Sequence, residues 1–198
     1  TSDDKNAVET MVATDNQAAA KEAAQKMFEA IDYKGKIAIV VHNSLTETGQ
    51  VRKQAIIDHM TQNHNDKEIQ FVEIVYAAQE EGSKEEIVSE LLEKHDDLAG
   101  VICTNLLTTE MLIDYVKNLE TVPFQIVGFD TSEKIISEVG NRLVGTMAQD
   151  PYHMGYATVV AAARSITGME NEEKISTEHV WIDAENINST QVQSVLNN

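Results

Sequence analysis

The stretch IVGFDTSEKIISEVGNRLVGTMAQDP, residues 126–151, decides the fold of this chain. It opens as a buried strand ending in Phe129-Asp130, followed by a helix capped by Thr131 or Ser132. A second short strand over residues 143–147 comes next, and Gln149-Asp150-Pro151 opens another helix. Asp130 and Gln149 are thereby delivered to the ends of adjacent strands. In an open parallel sheet, the concave surface shared by several βα units lies outside the carboxyl ends of the strands, where polar groups tend to meet a ligand. Two readings of Asp130 stand side by side here, a ligand contact and a helix cap.

The pattern repeats in both directions. KIAIVV (36–41) is a continuous, largely β-branched apolar run, as expected of a strand buried on both faces. His42-Asn43-Ser44 follows it, and 46–62 predicts a helix with Val51, Ala55, Ile56 and Met60 inward. A strand over 69–76, a helix over 84–94, a strand over 99–104 and a helix from Thr108 to about residue 119 come next. Upstream, 11–14 reads as a short strand closed by Asp15-Asn16. The following helix buries Ala20, Ala23, Ala24, Met27, Phe28 and Ile31 and ends near Tyr33-Lys34-Gly35. Downstream, a long helix runs from Pro151 to about residue 166, with Met154, Ala157, Val160 and Ala161 on one side. Residues 170–178 read as an acidic linker, 179–182 as a last strand, and the rest as a polar tail; residues 1–5 read as loop. Strands separated by helices of this length require right-handed parallel crossovers. The fold class is α/β, a parallel sheet flanked by helices on both faces.

Composition narrows the function. Fifteen basic against thirty-three acidic residues give a formal net charge of -18, which repels nucleic-acid backbones and anionic membrane surfaces. No run of eighteen apolar residues is present, so no direct membrane insertion is expected. Cys103, the one cysteine, lies in an apolar run and reads as a small buried hydrophobe. The six histidines fall on separate elements with no His-x-x-x-His pair, and ordinary roles outweigh a metal site. Neither a glycine-rich phosphate loop nor a Gly-x-Ser-x-Gly elbow occurs, so no cofactor and no enzymatic chemistry are expected.

What remains is a set of hydrogen-bonding groups, each one step past a buried strand: Asn43, Asn105, Asp130 and Gln149, with Phe129 beside them. Amides and a carboxylate next to an aromatic face suit a small polyhydroxylated ligand, although each amide could equally serve only to cap a turn.

VGFD (127–130), GTMAQDPYHMG (145–155) and VATDN (12–16), in this order and spacing, resemble the type I periplasmic sugar-binding proteins of the ribose-binding group and the related effector domains of the lactose-repressor family. The resemblance covers nearly the whole chain. It implies two α/β lobes joined by three crossings that close on a sugar. Residues 1–16 would hold the end of the first lobe and the first crossing, and 17–148 the second lobe. Residues 149–181 would hold the second crossing with a first-lobe helix and strand, and 182–198 the third crossing and tail. It assigns ligand contacts to Asn105, Phe129, Asp130 and Gln149 and a hinge-side contact to Thr14. Where the family often carries a ligand-binding arginine, this chain has Gln50, two residues before Arg52. It also implies a membrane permease or sensor protein as partner and a periplasmic or extracellular location, with a lipid anchor as one form of attachment. The family has roughly a hundred residues before the VATDN strand, and here about ten stand there, so the expectation is a piece of a longer protein. A transcription regulator's effector domain and a one-lobe interaction module are the alternative readings.

Overall fold

A computed structural model describes residues 8–64, 67–79 and 81–197, so the loop expected over residues 1–5 lies outside the described residues. Among the described residues fifteen elements follow one another. They are β1 (Met11–Thr14), α1 (Asn16–Ala30), β2 (Lys34–Val41), α2 (Glu47–Asn63), β3 (Glu68–Tyr76), α3 (Lys84–Lys94), β4 (Leu98–Cys103) and α4 (Leu106–Val116). Then come β5 (Gln125–Phe129), α5 (Glu133–Glu138), β6 (Gly145–Gln149), α6 (Pro151–Ile166), β7 (Lys174–Thr177), β8 (His179–Asp183) and α7 (Thr190–Leu196).

Six strands form one sheet in the order β3-β2-β4-β5-β6-β8, parallel except for β8, which runs antiparallel to β6. Alternate residues of β2 go to opposite faces, as the two-residue period of a strand requires. Ile37, Ile39 and Val41 join Ala19, Ala23, Met27 and Phe28 of α1 and Ala55 and Ile56 of α2. Ala38 and Val40 join α3, α4 and Ile135 of α5. Helices therefore cover both faces, and this double burial is why the central strands read as unbroken apolar runs. The helix starts are chemically marked. Asp15 accepts from the Ala18 N–H, Ser83 forms a reciprocal capping box with Glu86, and Asp150 accepts from the His153 N–H just ahead of Pro151.

Several sequence expectations are corrected. The acidic segment 170–178 contains β7, which pairs in parallel with β1 as a separate two-stranded sheet. The strand expected to belong with α6 in the first lobe, residues 179–182, is instead β8 on the edge of the six-stranded sheet. The polar tail carries α7, whose Val192 packs with Ala148 and Ile182. The chain thus returns to the large sheet between Thr177 and His179, earlier than the expected crossing near residue 182. On α6 only Ala161 of the expected inward set is buried, and Tyr152, Tyr156, Val159 and Val160 are exposed. Helix α1 ends at Ala30, and Asp32 and Tyr33, rather than Gly35 alone, take the positive-φ turn into β2.

At the end of the large sheet remote from the strand C-termini, α1 and α2 meet at a histidine pair. His59 Nε2 and His64 Nε2 lie 3.1 and 3.0 Å from Gln25 Oε1. Gln25 Nε2 donates to Glu29 and to the Tyr33 hydroxyl, which fixes the amide's orientation. An amide oxygen only accepts, so both rings carry their proton on Nε2. Asn63 Nδ2 then meets the bare Nδ1 of His59 at 3.2 Å. Burial, with the nearby His64 and Lys21, holds the His59 imidazole below its ordinary value of 6.5. A group whose folded value is depressed contributes stability fully above its unfolded value, and that contribution is lost as pH falls through the folded one. The expected result is that the melting temperature of the native protein falls more between about pH 7 and pH 5 than that of His59→Gln. Parallel pH curves for the two proteins would contradict this.

Candidate functional site

The site lies where β2, β4, β5 and β6 end, beside the junction of β1 with α1. The apolar runs stop at the strand ends: His42, Thr104 and Asp130 follow β2, β4 and β5, and β6 itself ends in Gln149. Asp130 takes φ +67, a left-handed conformation that aspartate tolerates better than most residues. It is held on all sides: its N–H donates to the Met147 carbonyl (2.8 Å) and its carbonyl accepts from Thr146 Oγ1 (2.7 Å). The carboxylate accepts from the Leu106 N–H at 2.9 Å through Oδ2, and from Gln149 Nε2 through Oδ1. Gln149 in turn accepts from Thr14 Oγ1 at 2.9 Å through Oε1. One chain of hydrogen bonds therefore runs from β1 through the end of β6 to the end of β5 and the first turn of α4.

Asn105, the residue before Leu106, is the cap of α4. Its Oδ1 accepts from the Thr108 N–H (3.0 Å) and hydroxyl (2.8 Å). Thr109, fully buried, ties the two strand ends together. Its hydroxyl accepts from the Phe129 N–H at 3.0 Å and lies 2.8 Å from the Asn105 carbonyl.

The other sequence-predicted residues divide. Thr14 and Gln149 are brought together with Asp130, and Asn105 stands beside them through Leu106. Asn43 and Gln50 are not part of this hydrogen-bond chain. Asn43 Oδ1 accepts from the Leu45 and Thr46 N–H groups in a local turn, and Gln50 Nε2 reaches only the Asn43 carbonyl at 3.5 Å. Phe129, expected to offer a ring face to a ligand, is 0% exposed. Its face is covered by the Arg52 guanidinium, 4.2 Å from the ring centroid.

Arg52 itself was passed over by sequence reasoning, together with Asn16, Thr104 and Thr109. An apolar count on α2 selects Val51, yet Val51 is 37% exposed and Arg52 is 2% exposed. The signal was spacing: Arg52, Ala55 and Ile56 share one face of α2, and these three are the buried ones. Burial lowers the guanidinium's proton affinity, and the negative charge of Asp130 works against that loss. Among the described residues, no group of three His, Cys, Asp or Glu side chains is placed to hold a metal ion, and no helix is long and apolar enough to cross a membrane. What the arrangement offers is fixed hydrogen-bonding groups on rigid strand ends.

Comparison with known proteins agrees with this architecture. A carbohydrate-transporter solute-binding protein from Agrobacterium radiobacter, solved with D-arabinose, superposes with a TM-score of 0.87 at 20% identity, over 96% of this chain and 66% of that one. A solute-binding protein from Agrobacterium vitis with bound D-fucose gives 0.87 at 23% identity, over 98% and 67%. A glucose-galactose binding protein from Geobacillus stearothermophilus gives 0.83 at 24% identity, over 91% and 64%. The chain thus spans about two thirds of the length of these solved structures. Comparison with curated proteins returned no match. The family model described as a periplasmic binding protein domain matches residues 2–170, and with that match over most of its length the chain belongs to the periplasmic binding protein domain family.

Proposed function

We propose that this chain is the larger part of a sugar-binding solute-binding protein, which acts outside the cytoplasmic membrane and closes two lobes over a small polyhydroxylated ligand without chemical change. The observation that carries this reading is the hydrogen-bond chain Thr14–Gln149–Asp130–Leu106. It joins β1, which among the described residues pairs with β7 alone, to the strand ends of the six-stranded sheet. A ligand seated against Asp130 and Asn105 would bias that junction, which is the requirement for hinge closure. In this reading, β1, α6 and β7 belong to one lobe, and residues 15–148 with β8 and α7 belong to the other. Closure would then present the ligand-loaded form to a membrane permease or a sensor protein.

The test is calorimetric titration of the full-length gene product with D-arabinose, D-fucose and D-galactose. At least one should bind at about micromolar Kd or tighter, and Asp130→Ala should weaken it by about a hundredfold, roughly 3 kcal/mol for a charged hydrogen-bonding group. Unchanged affinity in the variant removes Asp130 from the site. Silence of the native protein toward all three sugars sinks the sugar reading.

A further inference from the structure

The pairing of β4 with β5 stops short of the site. It runs from Gly100↔Gln125 to Ile102↔Val127, whereas β5 stays paired with β6 as far as Phe129↔Met147, and β4 with β2 as far as Val40↔Cys103. Successive residues of a strand turn their backbone groups to opposite neighbours. The Ile126 carbonyl accepts from the Val144 N–H and the Asp130 N–H donates to the Met147 carbonyl, so both of these residues face β6. Phe129, one residue out of step with them, faces the β4 side, beyond the last β4–β5 pair. There its N–H donates to Thr109 Oγ1 at 3.0 Å, and its carbonyl lies 3.1 Å from the same oxygen. The Asn105 carbonyl lies 2.8 Å away on the other side. One hydroxyl from α4 therefore bridges the two chain segments that carry Asn105 and Asp130, at the point where their strands part. Gly128 sets the direction in which this side chain lies. A Cβ there would stand 2.7 Å from Thr109 Cγ2, so the methyl group fills the space that glycine leaves, and the hydroxyl is left to face Phe129. From the β6 side, Thr146 Oγ1 donates to the Asp130 carbonyl, so the end of β5 is held by a buried threonine hydroxyl on each flank.

We propose that Thr109 is a positioning residue of this site: its hydroxyl spans the gap where β4 and β5 part and sets the distance between Asn105 and Asp130. Thr109 is 0% exposed, so it acts through those two residues. A hydroxyl is what the role needs, because it accepts from an N–H and donates to a carbonyl at once. Valine has the shape of threonine and does neither, and serine keeps the hydroxyl while giving up the methyl. The proposal rests on Asn105 and Asp130 being ligand-facing groups, but the bridge exists without ligand and can be read without one.

Amide hydrogen exchange and calorimetric titration of the 15N-labelled full-length protein, native, Thr109→Val and Thr109→Ser, make the measurement. The Phe129 N–H should exchange at least about tenfold faster in Thr109→Val and within about threefold of native in Thr109→Ser. Amides of Ile39 and Val40 in β2 should keep their rates in both. Each protein is titrated with D-arabinose, D-fucose and D-galactose. For a sugar that the native protein binds, Thr109→Val should weaken affinity by at least about tenfold and Thr109→Ser by less than about threefold. A valine variant that falls short of either effect, a serine variant no better than valine, or acceleration of Ile39 and Val40 along with Phe129 overturns the proposal; the last pattern means that Thr109 is only a core residue. If Thr109→Val does not fold, the native protein still decides. The Thr109 hydroxyl proton should be a slowly exchanging resonance with a cross-peak to the Phe129 amide proton, and exchange as fast as that of a solvated threonine overturns the role. Failure of the native protein to bind any of the three sugars would count against the sugar reading alone, and the exchange rates would then decide this proposal by themselves.

Discussion

Phe129→Ala is expected to lower folding stability by about 4 kcal/mol, read by urea denaturation. The ring is wholly buried at the end of β5 and packs among Ile102, Val127, Met147 and Trp181. Truncation removes its transfer free energy and leaves a cavity that the strands on either side cannot close, since their backbones are fixed by the sheet. Arg52 loses the face it lies on, a contact of about 1–2 kcal/mol when it is out of water. For a domain whose whole margin is about 5–15 kcal/mol, this is a large share. At roughly 2–4 °C per kcal/mol for a chain of this size, the melting temperature should fall by about 8–16 °C. Phe129→Leu separates the causes. It keeps most of the volume, with a packing cost under about 1.5 kcal/mol, and removes only the flat face beneath Arg52. A loss below about 1.5 kcal/mol for the alanine variant would mean that the ring is not the core element described here.

The same residue shows how far the sequence could be read. The strand ending at Phe129 was legible because a strand buried on both faces must be apolar throughout, and 126–129 is. The side chain's surroundings were not legible, because an aromatic residue next to an aspartate at a strand end fits a ligand platform and a core anchor equally well. Deciding between them required Arg52, which comes from an element seventy-odd residues earlier and whose burial an apolar count on α2 assigns to Val51 instead. Strand β7 was hidden for a related reason. Residues 174–177, KIST, belong to a two-stranded sheet with little buried surface, so they carry none of the apolar run that exposed β2, β4 and β5. Strand β8 was visible as a strand, but periodicity reports an element and not its partner. Its place beside β6 follows from an antiparallel register that no local pattern encodes. Asp130 and Gln149 were expected near one another from their positions past strand ends and Thr14 entered only through the family resemblance, whereas the left-handed backbone of Asp130 has no sequence signal except that aspartate is among the few residues that accept it.

The β6–β8 pairing yields the second large effect, because Gly145→Ala should cost about 3 kcal/mol, at the upper end for overpacking, and lower the melting temperature by about 6–12 °C. A Cβ at this position would lie 2.3 Å from Trp181 Cζ2 and 2.4 Å from the Ile182 carbonyl oxygen. Neither neighbour can yield cheaply. The indole is held by its Nε1–H, which donates to Asp183 Oδ2 at 2.8 Å, and it is buried against the core that includes Met27 and Met147. The carbonyl belongs to the backbone of β8, paired residue for residue with β6 from Gly145↔Asp183 to Gln149↔His179. Relief therefore requires β8 to move off the sheet edge, which would also disturb Gln149 at the far end of the same ladder. Gly155→Ala is the matched control. It makes the same chemical change in the middle of α6, where an added Cβ meets nothing within 4 Å. There the variant should gain about 0.5–1 kcal/mol, because alanine loses less conformational freedom than glycine on entering a helix. Denaturation curves displaced in opposite directions by one methyl group would establish that the β6–β8 contact, and not glycine content, sets the first effect. Curves displaced in the same direction would refute the close approach of Trp181 to β6.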